Sequence, residues 1–155
     1  MCSLKEIKLK INKEKLMKKI VLIMMALSIS SMADLARAGG IVTDTTTTLQ
    51  WQDDYRDNDF KVKSATWEDA LKYCATLSLD GTNWRLPNTR ELRTIVDRSI
   101  FNPAIYVDFL LKESQYYWSS TTIDDTKDYA WTTNFNRGDT WILPKTASRY
   151  VRCVR

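Results

Sequence analysis

The chain has 155 residues, of which 44% are hydrophobic and 11% aromatic, a composition typical of a folded protein with one hydrophobic core. It carries 23 Lys and Arg against 19 Asp and Glu, but eight of these basic residues and three of the acidic ones lie in the first 38 positions. Residues 39–155 therefore have 15 basic and 16 acidic residues, which argues against nucleic acid as the main partner.

Residues 1–38 have the features of a secretory leader. Lys18-Lys19 precedes an apolar run from Ile20 to Leu27, far shorter than the roughly 20 residues of a membrane-spanning helix. Small residues follow and predict cleavage after Ala38. The domain is then predicted to occupy residues 39–155. An amphipathic anchor that stays in the mature protein is the alternative interpretation.

The leader also predicts where the protein goes and where it starts. The stretch before Met17 is long and basic for a leader, so Met17 is the predicted start, and Cys2 then precedes the protein. We expect a periplasmic or secreted, cell-surface protein, with no stable membrane span after cleavage.

The domain is predicted to open with two strands and a polar loop. The sequence "GGIVTDTTTTLQWQ" favours strand, Thr-rich turn and strand, with apolar positions at Ile41, Val42, Leu49 and Trp51.

The loop holds Asp53, Asp54, Asp57 and Asp59, and a later acidic run holds Asp124, Asp125 and Asp128. Neither run has calcium-loop spacing, so both are predicted to be solvated loops without a metal.

A first helix is predicted after Thr66, which can cap it. Its apolar residues recur with helical period at Trp67, Ala70, Leu71, Cys74 and Leu77. Asp80-Gly81 is predicted to end it. The neighbouring carboxylates Glu68 and Asp69 are explained as the first helical turn, and we predict no enzyme activity.

A second helix is predicted to begin at Asn88, after Pro87, with Glu91 completing a capping box. Its buried stripe is Leu92, Ile95 and Val96. Its outer arginines, Arg90 and Arg93, are interpreted as a solvated face, with Arg93 paired to Asp97. Arg85 is predicted to be partly buried and to tie loops together.

Short strands are predicted from Tyr116 onwards, in "YYWSSTT", "DYAWTTNF", "TWILP" and "RYVRCVR". The Arg137-Gly138-Asp139 tripeptide lies in a predicted hairpin turn.

The last strand can carry Cys153 inwards to meet Cys74 of the first helix. Two cysteines in an exported chain should form a disulfide, and without any His in the chain a nucleophilic cysteine or a Cys/His metal site is disfavoured.

Several of these segments resemble the Lcl C-terminal domain family. The resemblance covers roughly residues 41–155 and rests on Trp84-Arg85-Leu86-Pro87 with Glu91, Tyr117-Trp118-Ser119-Ser120, Ala130-Trp131 and Val151-Arg152-Cys153-Val154. Thr48 and Gln50 stand where the family's opening hairpin usually has Gly and Met. The family is related to C-type lectins and formylglycine-generating enzymes, so the resemblance implies an α+β, lectin-like fold of two helices on short, mostly antiparallel strands with one disulfide.

The resemblance also implies a function. The family's best-described member is a collagen-like bacterial adhesin whose C-terminal domain binds sulfated polysaccharides, although this sequence has no collagen-like repeat. The Glu-Pro-Asn and Gln-Pro-Asp sugar motifs of C-type lectins are absent. Both remaining cysteines are assigned to the disulfide, so the resemblance carries over no oxidase chemistry, and no cofactor is predicted.

The predicted binding residues lie in the β-rich half, where Trp can stack on a sugar and Arg or Lys can bind sulfate or carboxylate. They are Asn134, Asn136, Arg137, Asp139, Trp141, Lys145 and Arg149. We expect a non-catalytic module for an anionic glycan or another surface polymer. The alternatives are that Trp141 is core and the charges ordinary surface, or that the protein is an envelope assembly protein with a protein partner.

Overall fold

The structure, a computed structural model, describes residues 35–155; the predicted leader up to residue 34, including Met17 and Cys2, lies outside the described residues. The strands are β1 Leu35–Ala38, β2 Ile41–Asp44, β3 Gln50–Gln52, β4 Ser64–Ala65, β5 Tyr116–Ile123, β6 Thr126–Asn134, β7 Asp139–Pro144 and β8 Arg149–Tyr150. The α-helices are α1 Trp67–Thr76 and α2 Thr89–Thr94, and Arg56–Asn58 forms a 3₁₀ helix.

The strands form two sheets. One has the order β1-β2-β3 and is antiparallel throughout. The other has the order β4-β8-β5-β6-β7, with one parallel pair, β5 with β8. The fold is therefore α+β with mostly antiparallel strands, as the sequence predicts. The strand β1, which the sequence assigned to the leader, is an addition to that prediction.

Helix α1 forms where its cap and apolar period predict it. Thr66 accepts a hydrogen bond from the Asp69 N–H, and Ala70 and Cys74 face the core. The helix ends at Thr76, four residues before the predicted stop at Asp80. Both Asp80 and Gly81 have positive φ, so the predicted turn exists but follows a short extended segment.

Helix α2 has the predicted capping box. The Glu91 N–H donates to the Asn88 side chain, and the Asn88 N–H donates to the Glu91 carboxylate. Leu92, Ile95 and Val96 are buried as predicted, although the regular helix stops at Thr94.

The core is built from two groups of side chains. Trp51, Tyr55 and Phe135 lie in one, and Trp84, Trp118 and Leu86 lie in the other. The Cys74–Cys153 disulfide belongs to the second group and joins α1 to the C-terminal segment, with Cα atoms 5.4 Å apart. The predicted disulfide is confirmed.

The predictions for the last strand, Arg85 and Asp53 also need correction. The last strand is regular only at Arg149–Tyr150, because the residues after it form isolated bridges, with Val154 bridged to both Trp51 and Arg85. Arg85 is exposed rather than partly buried, and its two Nη atoms donate to Glu91 of α2 instead of joining two loops.

Asp53 is the third correction, because it is not part of a solvated loop. Its side chain is buried against the equally buried Arg152. The polar loop therefore begins one residue later, at Asp54.

Candidate functional site

The turn after β6 brings two distant arginine-bearing segments together. Gly138 has a φ of 76°, and a Cβ there would lie 2.4 Å from a methyl carbon of Val96. Because no side chain intervenes, the turn packs directly against the end of the α2 segment. The hairpin turn predicted at residues 136–139 is confirmed at residues 135–138, where the Gly138 N–H donates to the Asn134 carbonyl at 2.8 Å.

This packing creates a cleft of about 330 Å³ beside the turn. Its cationic residues are Arg93 from α2, Arg98 from the loop that follows α2, and Arg137 from the turn. Asp139 also lines it, and the Asp139 carboxylate accepts a 2.6 Å hydrogen bond from the Trp141 indole. Positive side chains therefore outnumber negative ones in this cleft by three to one.

A second cleft, of about 500 Å³, adjoins the first. Arg90 and Arg93 line it together with the partly buried Trp131. Arg93 and Thr140 line both clefts, so the two share a boundary. We call the set Arg90, Arg93, Arg98 and Arg137 the arginine surface.

No side chain of the described residues forms an ion pair with the arginine surface. Within residues 35–155, its four guanidinium groups make neither a salt bridge nor a hydrogen bond to another side chain or backbone atom. By contrast, the arginines that form salt bridges are Arg37, Arg56, Arg85, Arg152 and Arg155.

The predicted pair of Arg93 with Asp97 is therefore wrong. The Asp97 carboxylate instead accepts hydrogen bonds from the backbone and side chain of Ser99. Arg93 is left with its guanidinium available to an anion from solution.

The two tryptophans of the β6–β7 hairpin have different surroundings. Trp131 pairs with Ile142 and Thr132 pairs with Trp141, so the two indoles lie on opposite faces of the hairpin. Trp131 lines the cleft that contains Arg90 and Arg93, whereas Trp141 is 51% exposed on the other face of the hairpin. Trp141 is therefore not a core residue, and Trp131 is the ring available beside the arginines.

The predicted binding residues are divided between the two ends of this hairpin. Arg137 and Asp139 lie at one end, with Lys145 past the other, six residue steps along the chain from Asp139 and roughly 20 Å away at about 3.3 Å per residue. Asn134 and Asn136 hold the turn, since the Asn134 side chain accepts from the Asn136 N–H and the Asn136 amide donates to Ser114.

Lys145 and Arg149 line other clefts. The cleft at Lys145, of about 810 Å³, also contains Trp67 and two carboxylates. Lys145 is already engaged there, since its Nζ lies 4.1 Å from the centre of the Trp67 ring and donates to the Lys127 carbonyl. Arg149 lines a cleft of about 450 Å³ and donates to the carbonyl of Ser148.

Two further properties concern metals and membranes. Among the residues that the structure describes, no three His, Cys, Asp or Glu side chains are grouped as metal ligands would be. Along residues 35–155, none of the helices has the length and apolar character required to cross a membrane.

Comparison with known families matches residues 40–155, three quarters of the chain, to the Lcl C-terminal domain. The chain belongs to the Lcl C-terminal domain family. Comparison with curated proteins gives no match.

Most residues that carry the resemblance to the Lcl C-terminal domain family have structural roles here. Trp84, Leu86 and Trp118 are buried, and Pro87 is buried beside them at the entry to α2. Arg85 and Glu91 form a salt bridge of 2.7 Å across that entry. Trp131 differs from these, because it is partly exposed and lines a cleft.

Sequence reasoning missed part of the arginine surface of this Lcl C-terminal domain. Arg90 and Arg93 were interpreted as an ordinary solvated face, and Arg98 was not singled out. The sequence contains one signal for this surface. Three arginines lie within residues 90–98, and Asp97 is the single acidic residue at helical spacing from any of them. Arg93 and Arg98 share a cleft with Arg137 because Gly138 packs against Val96. Nothing in the neighbouring sequence indicates that contact.

Proposed function

We propose that this Lcl C-terminal domain is an exported, non-catalytic module that binds an anionic polysaccharide at the arginine surface. The observation that carries the proposal is that four arginines without partners among the described residues line two adjoining clefts. Guanidinium groups bind sulfate and carboxylate through paired, charge-assisted hydrogen bonds, which are stronger than neutral ones.

Trp131 supports a sugar as the carrier of the negative groups. An indole face beside cationic side chains offers a sugar ring an apolar surface while its charged substituents reach the arginines. A polymer also suits two clefts that share Arg93, because successive charged units of one chain can occupy both.

Export is supported by the leader-like sequence before residue 39 and by the disulfide. Disulfides persist mainly in oxidising compartments, and Cys74–Cys153 joins segments 79 residues apart. The proposed location is the periplasm or the cell surface.

A second candidate is an envelope assembly protein that binds a protein partner. The observation that favours it is a set of exposed apolar side chains: Phe60, Phe101, Val107 and Leu110, each at least 64% exposed. Such side chains are enriched where proteins associate.

A glycan array separates the two candidates. The exported protein is applied at low and physiological salt, with and without calcium. Binding to sulfated or uronic-acid glycans that weakens with salt and ignores calcium supports the polysaccharide module. No binding to any charged glycan by folded protein rejects that proposal and favours the assembly protein.

A further inference from the structure

The hairpin formed by β1 and β2 includes residues that the sequence assigned to the leader. All four residues of β1, Leu35–Ala38, pair in register with β2. Gly39 and Gly40 connect the strands, with φ values of 57° and 82°. A two-residue loop with positive φ at both positions is the preferred connection of a tight hairpin, and Gly-Gly suits it.

Side-chain contacts also fasten β1 to the domain. Leu35 is 9% exposed and lies in the core group that contains Val42 and Trp51. The Arg37 Nε donates to the buried carboxylate of Asp53 at 2.8 Å. A peptide removed after Ala38 would take both contacts with it.

The turn residue Gly40 is equally built into the fold. Its carbonyl accepts a 2.8 Å hydrogen bond from the Asp53 N–H. A Cβ at Gly40 would lie 2.5 Å from the Cβ of Asp54, so the turn is pressed closely against the chain that follows β3. Gly39-Gly40 thus acts as an internal turn rather than as a chain terminus.

The sequence offers two places where small residues stand three and one positions before a bond, as leader cleavage requires. One is Ala36 and Ala38. The other is Ser31 and Ala33, which lie outside the described residues and are considered only as sequence. The bond after Ala33 lies six residues past the apolar run that ends at Leu27, and the bond after Ala38 lies eleven past it.

We propose that the leader is removed after Ala33 and not after Ala38, so that the exported protein begins at Asp34 and keeps β1. The step is hydrolysis of the Ala33–Asp34 peptide bond by a signal peptidase. Water is consumed, leaving a carboxylate on Ala33 and a free amine on Asp34. The proposal depends on export, which is part of the proposed function, and not on the ligand.

The test is the N-terminus of the protein after export. The full chain is produced in a bacterial host, recovered from the periplasm or medium, and examined by N-terminal sequencing and intact mass under oxidising conditions. We expect one species that starts at Asp34. A start at Gly39, or protein that keeps its leader, overturns the proposal, and the glycan array on the same sample tests the ligand separately.

Two matched variants give a second readout. Ala33→Leu places a bulky residue directly before the proposed bond and should block or shift processing. Ala38→Leu makes the same change at the other bond and should leave the start at Asp34. Unchanged processing in Ala33→Leu, or a shift in Ala38→Leu, contradicts the assignment.

Discussion

Arg152 and Asp53, which lie 99 positions apart in the chain, form a fully buried ion pair with Nη1 3.2 Å from Oδ1. The two guanidinium Nη atoms also donate to the backbone carbonyls of Gln52 and Leu111. The guanidinium carbon lies 4.4 Å from the centre of the Phe109 ring. Arg152 therefore fastens the C-terminal segment to the region after β3 and to the loop before β5.

The first prediction concerns the loss of this arginine. Arg152→Ala should lower the free energy of unfolding by about 3 kcal/mol or more, because it leaves a cavity where a buried side chain was and deprives the carbonyls of Gln52 and Leu111 of their donors. Urea unfolding followed by tryptophan fluorescence measures the change. Arg149→Ala is the control, and we expect a loss below about 1 kcal/mol because Arg149 is only partly buried. Equal losses in the two variants would refute a special role for Arg152.

The second prediction concerns the disulfide. Cys74 and Cys153 close a loop of 79 residues, which the chain-entropy relation values at about 4 kcal/mol. The double variant Cys74→Ala/Cys153→Ala should lose about that much stability in urea unfolding. Reductant should lower the stability of the wild type and leave the variant unchanged. An unaltered urea midpoint in the double variant would show that the cross-link contributes little.

The third prediction concerns pH and Glu91. Hydrogen bonds from Arg85 hold the pKa of Glu91 below its usual value, and the Asn88 N–H acts in the same direction against the opposing effect of burial. A lowered folded-state pKa adds stability above the unfolded pKa, and this contribution is lost as pH falls through the folded value.

Glu91→Gln should therefore reduce stability at pH 7 and weaken its decline on acidification below about pH 4.5, near the unfolded pKa. Thermal unfolding across pH 3–7 measures this difference. Arg85→Ala should have the same effect through the other partner. Parallel pH profiles for wild type and Glu91→Gln would contradict the assignment.

The fourth prediction concerns Thr48 in the opening hairpin. Thr48 has a φ of 62°, a left-handed conformation that costs a residue with a side chain roughly 1–2 kcal/mol and glycine much less. Thr48→Gly should therefore stabilise the protein by about 1 kcal/mol, measured by urea unfolding. The matched change Thr46→Gly, at a position without positive φ, should destabilise it. The reverse order would contradict the prediction.

Sequence reasoning succeeded where a structural signal is local. The capping residues Thr66 and Asn88 stand directly before the helices that they start. The glycine of the β6–β7 turn lies between its strands, and the two cysteines are the only ones in residues 35–155. Each of these features is determined within a few residues or by elimination.

Features that depend on long-range packing were missed. Nothing near Arg152 in the sequence indicates that it is buried, because its partner Asp53 is distant. Strand β1 was missed for another reason: its residues were assigned to the leader, although the Gly39-Gly40 hairpin signal is local. Arg93 and Arg137 line one cleft only because Gly138 packs on Val96, which is distant in the sequence.

The central claim is that the arginine surface binds an anionic polysaccharide. Its most direct test is the affinity of the exported protein for heparin, a polymer that carries both sulfate and uronic acid, measured by calorimetry at several salt concentrations. The variant Arg93→Ala/Arg137→Ala is compared with Lys61→Ala/Lys72→Ala, which removes the same charge from exposed positions outside both arginine clefts.

We expect the arginine variant to bind heparin about tenfold or more weakly, since a charge-assisted hydrogen bond contributes roughly 1.5 kcal/mol or more. It should also show a smaller dependence on salt, while the lysine variant stays close to wild type. Equal heparin affinities for the two folded variants, or no heparin binding by the wild type, would contradict the account.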